Sequence, residues 1–156
     1  MSHDSDFQRA KDCALSYLSK RSRCENEIRA HMRSYTQDIV EKVITFLTKY
    51  DFVNDRQYAK RYIRDRLNLK PRSLALISRE LKRKGLLDAD ISAAIAELDS
   101  EIDESSIAFE LAKKQIQRYQ SLDQATMKRR LFNFLLRRGF SYELIRITLT
   151  KLKMID

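Results

Sequence analysis

Two segments of the same pattern, two bases followed by glycine and an apolar residue, most restrict the fold of this chain. Arg83-Lys84-Gly85-Leu86 and Arg137-Arg138-Gly139-Phe140 hold its only two glycines, which lie 54 residues apart (139 − 85). Basic residues in a last helical turn complement the helix dipole, glycine adopts the left-handed cap conformation, and the next apolar residue packs back on the helix. Each segment therefore predicts a helix C-terminus, and the pair predicts an internal repeat.

Apolar residues repeat at the same offset. Ile77, Leu81, Ile91, Ile95 and Leu98 match Leu131, Leu135, Ile145, Leu149 and Leu152, and a third copy begins with Ile28, Met32, Ile39 and Val43. The spacing within each copy is helical. We predict an all-α protein of nine helices in three tandem three-helix repeats, at residues 1–53, 54–98 and 99–156. Because one such unit buries little surface alone, we expect the repeats to stack into an elongated, curved molecule.

Signals for other elements are sparse. The 156 residues include two glycines and one proline, and alternating apolar and polar stretches are almost absent, so strands are not expected. Asn54 or Asp55 can cap one helix, and Pro71-Arg72-Ser73 marks a break before the next.

Positive charge is concentrated in the second and third repeats. The chain has 31 Lys and Arg against 22 Asp and Glu, a net charge of +9. Residues 1–53 carry nine bases and eight acids, whereas 60–84 carry ten bases and two acids, and 113–138 carry eight bases and one acid. Such clusters are typical of surfaces that contact a polyanion, although any single base could simply be solvated.

The candidate filament-binding or nucleic-acid-binding residues come from these two clusters and the helix start before them. They are Arg56, Lys60, Arg61, Arg64, Lys70, Arg72, Lys82, Arg83, Lys84, Lys113, Lys114, Arg118, Lys128, Arg129, Arg130, Arg137 and Arg138. The sequence leaves open which of them contact DNA and which contact protein.

Aromatic residues lie among or near these bases and could stack on unpaired nucleobases. They are Tyr50, Tyr58, Tyr62, Tyr119 and Phe132. Tyr62 and Phe132 match apolar stripes, so we expect them in the core. Tyr50 and Tyr119 lie near helix ends, and for them the sequence does not decide between core packing and base stacking.

The residues for catalysis or for a cofactor are not in place. Neither glycine has a second glycine within the distance of a phosphate-binding loop. Cys24 and His31 share one predicted helix but would be about 10.5 Å apart along its axis, too far for a nucleophile and its base. Cys13 is expected in the core. We predict no catalytic residue, no metal and no cofactor.

Four acidic residues lie close together between positions 99 and 104. Asp99, Glu101, Asp103 and Glu104 could suggest a metal site, but carboxylates at this place are also typical of a helix start.

The apolar runs are far shorter than the roughly 20 residues of a membrane span, and no signal peptide is evident. We expect a cytosolic or nuclear protein with reduced thiols.

Two segments closely resemble the central motif of the RecX family. They are Leu47-Thr-Lys-Tyr-Asp-Phe-Val-Asn-Asp-Arg-Gln-Tyr-Ala59 and Ile77-Ser-Arg-Glu-Leu-Lys-Arg-Lys-Gly-Leu86. Cys24-Glu-Asn-Glu-Ile28 resembles its opening helices, and Phe134-Leu-Leu-Arg-Arg-Gly139 its closing repeat. Cys24 stands where the family usually has serine. The family's glycine before the second helix of the middle repeat is replaced around Lys70-Pro71-Arg72.

The resemblance implies a bacterial cytoplasmic regulator without a cofactor. It implies a protein that lodges in the groove of the filament of RecA recombinase and single-stranded DNA. It also implies modulation, usually inhibition, of recombinase, ATPase and coprotease activity in DNA repair and the SOS response. We expect a monomer with no membrane partner and weak binding to free DNA.

Two other classes compete with this reading. A helix-turn-helix factor would read bases with the last helix of a unit, but Asp88–Leu98 has three acids and no Arg, Lys, Asn or Gln. A general, non-specific DNA-binding protein remains the alternative, because charge alone would support it.

Overall fold

The chain is all-helical in the computed structural model, which describes the backbone of residues 2–154 and the side chains of residues 3–154. Within this range it has nine α-helices, one short 3₁₀ helix and no strand, which confirms the predicted fold class and helix number. The α-helices are α1 (Ser2–Lys20), α2 (Glu25–His31), α3 (Gln37–Lys49), α4 (Asp55–Leu69), α5 (Leu74–Arg83), α6 (Asp88–Leu98), α7 (Glu104–Arg118), α8 (Gln124–Arg137) and α9 (Tyr142–Lys151). The 3₁₀ helix is Asp99–Glu101.

The predicted start of α4 and the break after it are both confirmed. Asn54 caps α4, because its side-chain oxygen accepts a hydrogen bond from the Gln57 N–H at 3.1 Å. The helix then runs to Leu69, and α5 begins after Pro71, at Leu74.

Both glycines end a helix in the left-handed conformation, as predicted. Gly85 has φ +94° and Gly139 has φ +88°. The Leu86 N–H donates to the Leu81 carbonyl at 3.2 Å and the Phe140 N–H to the Leu135 carbonyl at 3.3 Å, which closes the same cap on α5 and α8. Leu86 and Phe140 are buried, so each cap is fixed by an apolar contact as well as by hydrogen bonds.

Separate apolar cores lie in the first and third groups of helices. The core of α1–α3 includes Ala14, Ile28, Met32, Val43 and Leu47, and that of α7–α9 includes Leu131, Leu135, Phe140, Ile145 and Leu149. The repeat positions Ile77, Leu81, Ile91 and Leu98 are also buried. Ile95 and Leu152 are half-buried, so nearly every position matched by the repeat faces the interior.

The chain divides into two compact units. Unit 1 holds the described residues through Arg61 together with Leu81–Ile95. Unit 2 holds Tyr62–Glu80 and the described residues from Ala96 onward. The division falls within α4, α5 and α6, so helices of the middle repeat contribute to both units.

Leu81 and Leu87 provide a matched test of the helical register. Leu81→Ala should lower the free energy of unfolding by about 2–5 kcal/mol, because Leu81 is fully buried and its truncation leaves a cavity. Leu87→Ala should change it by less than about 0.5 kcal/mol, because that side chain is 68% exposed. Urea denaturation followed by circular dichroism measures both, and equal losses would contradict the assigned core.

Candidate nucleic-acid interface

The last turn of α5 lies against the first turn of α2 in unit 1. The Cys24 thiol donates to the Lys84 carbonyl at 3.7 Å, and a Cβ on Gly85 would lie 2.7 Å from Cγ of Asn26. Cys24 is fully buried, and burial raises the pKa of its thiol to about 11, so the thiol stays protonated and inert. Cys24 therefore serves as a packed cap residue.

The last turn of α8 meets the first turn of α5 in the same way within unit 2. The Ser73 N–H donates to the Arg138 carbonyl at 2.9 Å, and a Cβ on Gly139 would meet the Ser73 hydroxyl and lie 2.8 Å from Cβ of Leu76. The Arg138 guanidinium in turn donates to the Pro71 carbonyl at 2.8 Å. Arg138 therefore stabilises this junction as well as adding positive charge.

The acidic residues before α7 bind groups of the protein itself. The Glu101 carboxylate binds the Arg64 guanidinium through two hydrogen bonds of 2.8 and 3.1 Å. Asp103 caps α7 by accepting from the Ser105 and Ser106 N–H groups. Asp99 opens the short 3₁₀ helix. The helix-start interpretation of this stretch is confirmed.

Carboxylates at the starts of α4 and α7 each cap an earlier helix. Asp55 accepts from the Glu25 N–H at 2.8 Å in unit 1, and Glu104 accepts from the Leu74 N–H at 3.0 Å in unit 2. In both cases the partner is the first residue of the helix 30 positions earlier. One capping device thus occurs in both units.

Several predicted site residues in α4 and α5 also have protein partners. Arg72 is only 14% exposed in its side chain and binds Glu80 at 2.6 Å, and the same carboxylate accepts from the Tyr62 hydroxyl at 3.2 Å. Lys82 pairs with Asp88 at 3.0 Å. Arg56, Lys60 and Lys84 also have interaction partners. Exposed cations of this group that pair with no described residue are Arg61, Lys70 and Arg83.

The third repeat has the larger set of exposed cations that pair with no described residue. We call this set the α7–α8 basic cluster; it consists of Lys113, Lys114, Arg118, Lys128, Arg129 and Arg130. The first three lie in the second half of α7 and the others near the start of α8, so the short segment 119–123 connects the two halves. Arg137, at the end of α8, is likewise exposed.

The only acid between the first and last members of this cluster is Asp123, and it is already used. Its carboxylate caps α8 by accepting from the Thr126 N–H, and the hydrogen bonds with Thr126 lower the pKa of Asp123. The charge of Arg129 also acts on Asp123, but none of the six cations forms a salt bridge with a described residue. Cations that neutralise phosphates release the counterions bound to a nucleic acid, so six of them on two adjoining helices suit its backbone. This cluster is the strongest candidate interface in the described chain.

The aromatic residues among the bases are less enclosed than predicted. Tyr62 is half-buried, because its hydroxyl reaches Glu80, and Phe132 is half-buried at the edge of the third-repeat core beside Tyr142. Tyr119 is half-buried and accepts a hydrogen bond from the Gln115 amide, whereas Tyr50 is 56% exposed. Cys13, expected in the core, is also half-buried.

A polar cavity between residues of the first repeat and the start of α4, all in unit 1, escaped the sequence-based prediction. It has a volume of about 500 Å³ and is lined by side chains that include Arg23, Phe52, Gln57, Tyr58 and Arg61. The first repeat contributed no candidate site residue, because its net charge is nearly zero. The signal available in the sequence was the pair of aromatic residues, Tyr50 and Phe52, immediately after a helix end.

One carboxylate organises the wall of this cavity. Glu27 accepts a hydrogen bond from the Cys24 N–H at 3.2 Å and lies 3.4 Å from the Arg21 guanidinium and 3.8 Å from that of Arg23. Burial alone would raise its pKa, but hydrogen bonds from Cys24 and from the Tyr58 hydroxyl lower the pKa of Glu27. The ionised carboxylate therefore holds the side chains around it in place.

Three family models, described as the first, second and third three-helix domains of RecX, match residues 10–47, 54–95 and 102–149. The chain belongs to the RecX family. The resemblance of its central motif to RecX is thereby confirmed. Among residues 2–154, no helix has the combined length and apolar character that crossing a bilayer requires.

Individual RecX proteins agree with this assignment. The chain is 33% identical over 153 residues to regulatory protein RecX of Bacillus cytotoxicus, covering 97% of this chain but 56% of that protein. It is 31% identical over 154 residues to regulatory protein RecX of Clostridioides difficile, covering 98% of this chain and 72% of that protein. The chain thus spans little more than half the length of the Bacillus relative.

A crystal structure of RecX from Lactobacillus salivarius has the same fold. It matches with a TM-score of 0.85 and 27% sequence identity over 97% of this chain and 99% of that one. The RecX relatives carry the name regulatory protein, which fits the absence of a catalytic constellation in the sequence.

Glu27→Gln should lower stability at neutral pH by about 1–3 kcal/mol, because the charged acceptor of several hydrogen bonds is lost. A lowered folded-state pKa means that the wild-type advantage exists above the ordinary Glu pKa and is lost as pH falls through the folded value. The difference in melting temperature between wild type and variant should therefore shrink in acid. A pH-independent difference would show that the charge of Glu27 has no such role.

Proposed function

We propose that this chain binds the filament of RecA recombinase and single-stranded DNA and inhibits its recombinase, ATPase and coprotease activities. The observation that supports this proposal is the α7–α8 basic cluster, whose six cations are exposed and pair with no described residue. Membership of a family of regulatory proteins supports a binding role for these cations rather than a catalytic one.

The proposal has physical consequences for the way the chain is used. A ligand in the groove of a filament meets phosphates at regular intervals, so cations in more than one repeat are useful. We propose that the three repeats, at 1–53, 54–98 and 99–156, act as one monomeric regulator in the bacterial cytoplasm during DNA repair and the SOS response. Arg137 would add a contact within the third repeat, and Arg61, Lys70 and Arg83 would add contacts from the second.

The direct experiment is ATP hydrolysis by the cognate recombinase on single-stranded DNA, titrated with this protein below stoichiometric ratios. Inhibition, together with much weaker binding to naked DNA, is the expected result. No inhibition, together with equal affinity for any DNA, would favour the alternative of a general DNA-binding protein.

Reversing charge in the cluster should weaken filament binding. The variant Lys128→Glu, Arg129→Glu, Arg130→Glu should reduce affinity at least about tenfold and lower the slope of log affinity against log salt by about 2, as expected for three phosphate contacts on a single strand. Binding titrations at several salt concentrations measure both quantities.

The matched control is Lys20→Glu, Arg33→Glu, Lys42→Glu. These three bases are exposed, lie in the first repeat and give the same change in net charge. The control should retain most of the affinity. An equal loss in both variants would mean that net charge, rather than the position of the cluster, determines binding.

A further inference from the structure

The first repeat presents a strip of aromatic rings at the end of α3. Tyr50 is 56% exposed and Phe52 is 50% exposed, and Phe46 lies between them. The ring centroid of Phe46 is 4.9 Å from that of Tyr50 and 6.4 Å from that of Phe52. We call these three rings the aromatic strip.

Packing in the apolar core does not account for the exposed position of Phe52. The residue after a left-handed cap normally packs back on its helix, as Leu86 and Phe140 do, with exposures of 5% and 2%. After the left-handed Asp51, that inward place is taken by Val53, which is 4% exposed. Phe52 is left half in solvent, where a large apolar ring gains little stability for the fold.

Cations accompany the strip. The Lys11 ammonium lies 4.8 Å from the Phe46 ring centroid, and the Lys49 ammonium lies 5.5 Å from that of Tyr50. Rings interleaved with lysines are the arrangement that binds unpaired nucleotides, because bases stack on the rings while the ammonium groups meet phosphates. An aliphatic peptide would use the rings but would leave the ordered cations unmatched.

The polar cavity adjoins the strip and adds a second recognition element. Phe52 lines both, and the charged residues that line the cavity are Arg23, Arg61 and Asp51, whose carboxylate accepts from the Asn54 amide at 3.0 Å. Arg61 is exposed and pairs with no described residue. The Arg23 side chain is 10% exposed and stacks 3.8 Å from the Tyr17 ring centroid, yet its buried Nε has no hydrogen-bond partner. That atom has almost no exposed surface, and the Arg23 guanidinium lies 3.8 Å from the Glu27 carboxylate, so Arg23 holds the cavity wall rather than meeting a ligand.

We propose that the aromatic strip and this cavity form a binding site for unpaired nucleotides, with bases stacked on Tyr50 and Phe52 and phosphate oxygens at Lys49 and Arg61. Charge alone does not reveal this site, because the acids of the first repeat, Asp51 at the cavity among them, cancel its bases. The inference deepens the proposed function by assigning part of the single strand to the first repeat, and it rests on that function only for the identity of the strand.

The test measures base stacking in the absence of recombinase. Fluorescence anisotropy compares the full chain bound to a dye-labelled oligothymidylate and to an abasic oligonucleotide of the same length, which has the phosphates but not the rings. Wild type should prefer the oligothymidylate. The double variant Tyr50→Ala, Phe52→Ala should lose at least about tenfold in affinity for the oligothymidylate and little for the abasic strand.

Substitutions at one position separate stacking from bulk. Phe52→Tyr keeps an aromatic ring and should retain affinity for the oligothymidylate, whereas Phe52→Leu keeps apolar bulk and should lose it. Leu69→Ala removes a side chain that is 81% exposed on α4 and serves as the control for general loss of apolar surface. Circular dichroism should show unchanged helicity in all variants, because none of the altered side chains is buried.

Three results would overturn the site: equal loss on both strands, retained affinity in the double variant, or weaker filament binding with unchanged binding to free oligothymidylate. The last would make the strip a protein-docking surface. A mononucleotide, thymidine monophosphate, tested as competitor, should displace the strand only weakly, because it occupies a single stacking position. Since recombinase is absent, a failure of filament inhibition leaves this result unaffected.

Discussion

The structure depends on satisfying the ends of short helices. An α-helix leaves four N–H groups and four carbonyl groups without partners inside the helix, and α2 has only seven residues. Most of its polar backbone must therefore find partners outside it. The Asp55 carboxylate meets this need at the Glu25 N–H, while the Cys24 thiol binds the Lys84 carbonyl just after α5, where the left-handed Gly85 closes that helix.

The need to satisfy helix ends distinguishes basic residues that stabilise the fold from basic residues that are available to a ligand. Basic residues in a last turn complement the helix dipole, so the bases at the ends of α5 and α8 have a local reason to be there. Arg138 and Arg72 lie partly buried and bind a carbonyl and a carboxylate. The cations of the α7–α8 basic cluster form no salt bridge with a described residue, and of the six only Arg118 lies in a last turn, which makes the cluster the better candidate for contact with phosphates.

The repeats share their capping chemistry and differ in their surfaces. Asp55 and Glu104 perform the same capping in the two units, and Gly85 and Gly139 close the same kind of helix end. Side chains that face away from these junctions are free to vary. The first repeat exposes aromatic rings and the third exposes cations, so the same capping scaffold carries two chemically different surfaces.

The sequence by itself determined the helices, their ends and the inward-facing residues. These features depend on local backbone preferences and on the 3.6-residue period, which neighbouring residues encode: a left-handed cap at Gly139, for example, needs only glycine after a helix. Which cations are free was decided only by the tertiary structure. Arg64 is paired because Glu101, 37 residues away, is brought to it, and Phe52 is exposed because Val53 occupies the core. Such pairings depend on how helices pack against one another, and the amino-acid composition does not specify that packing.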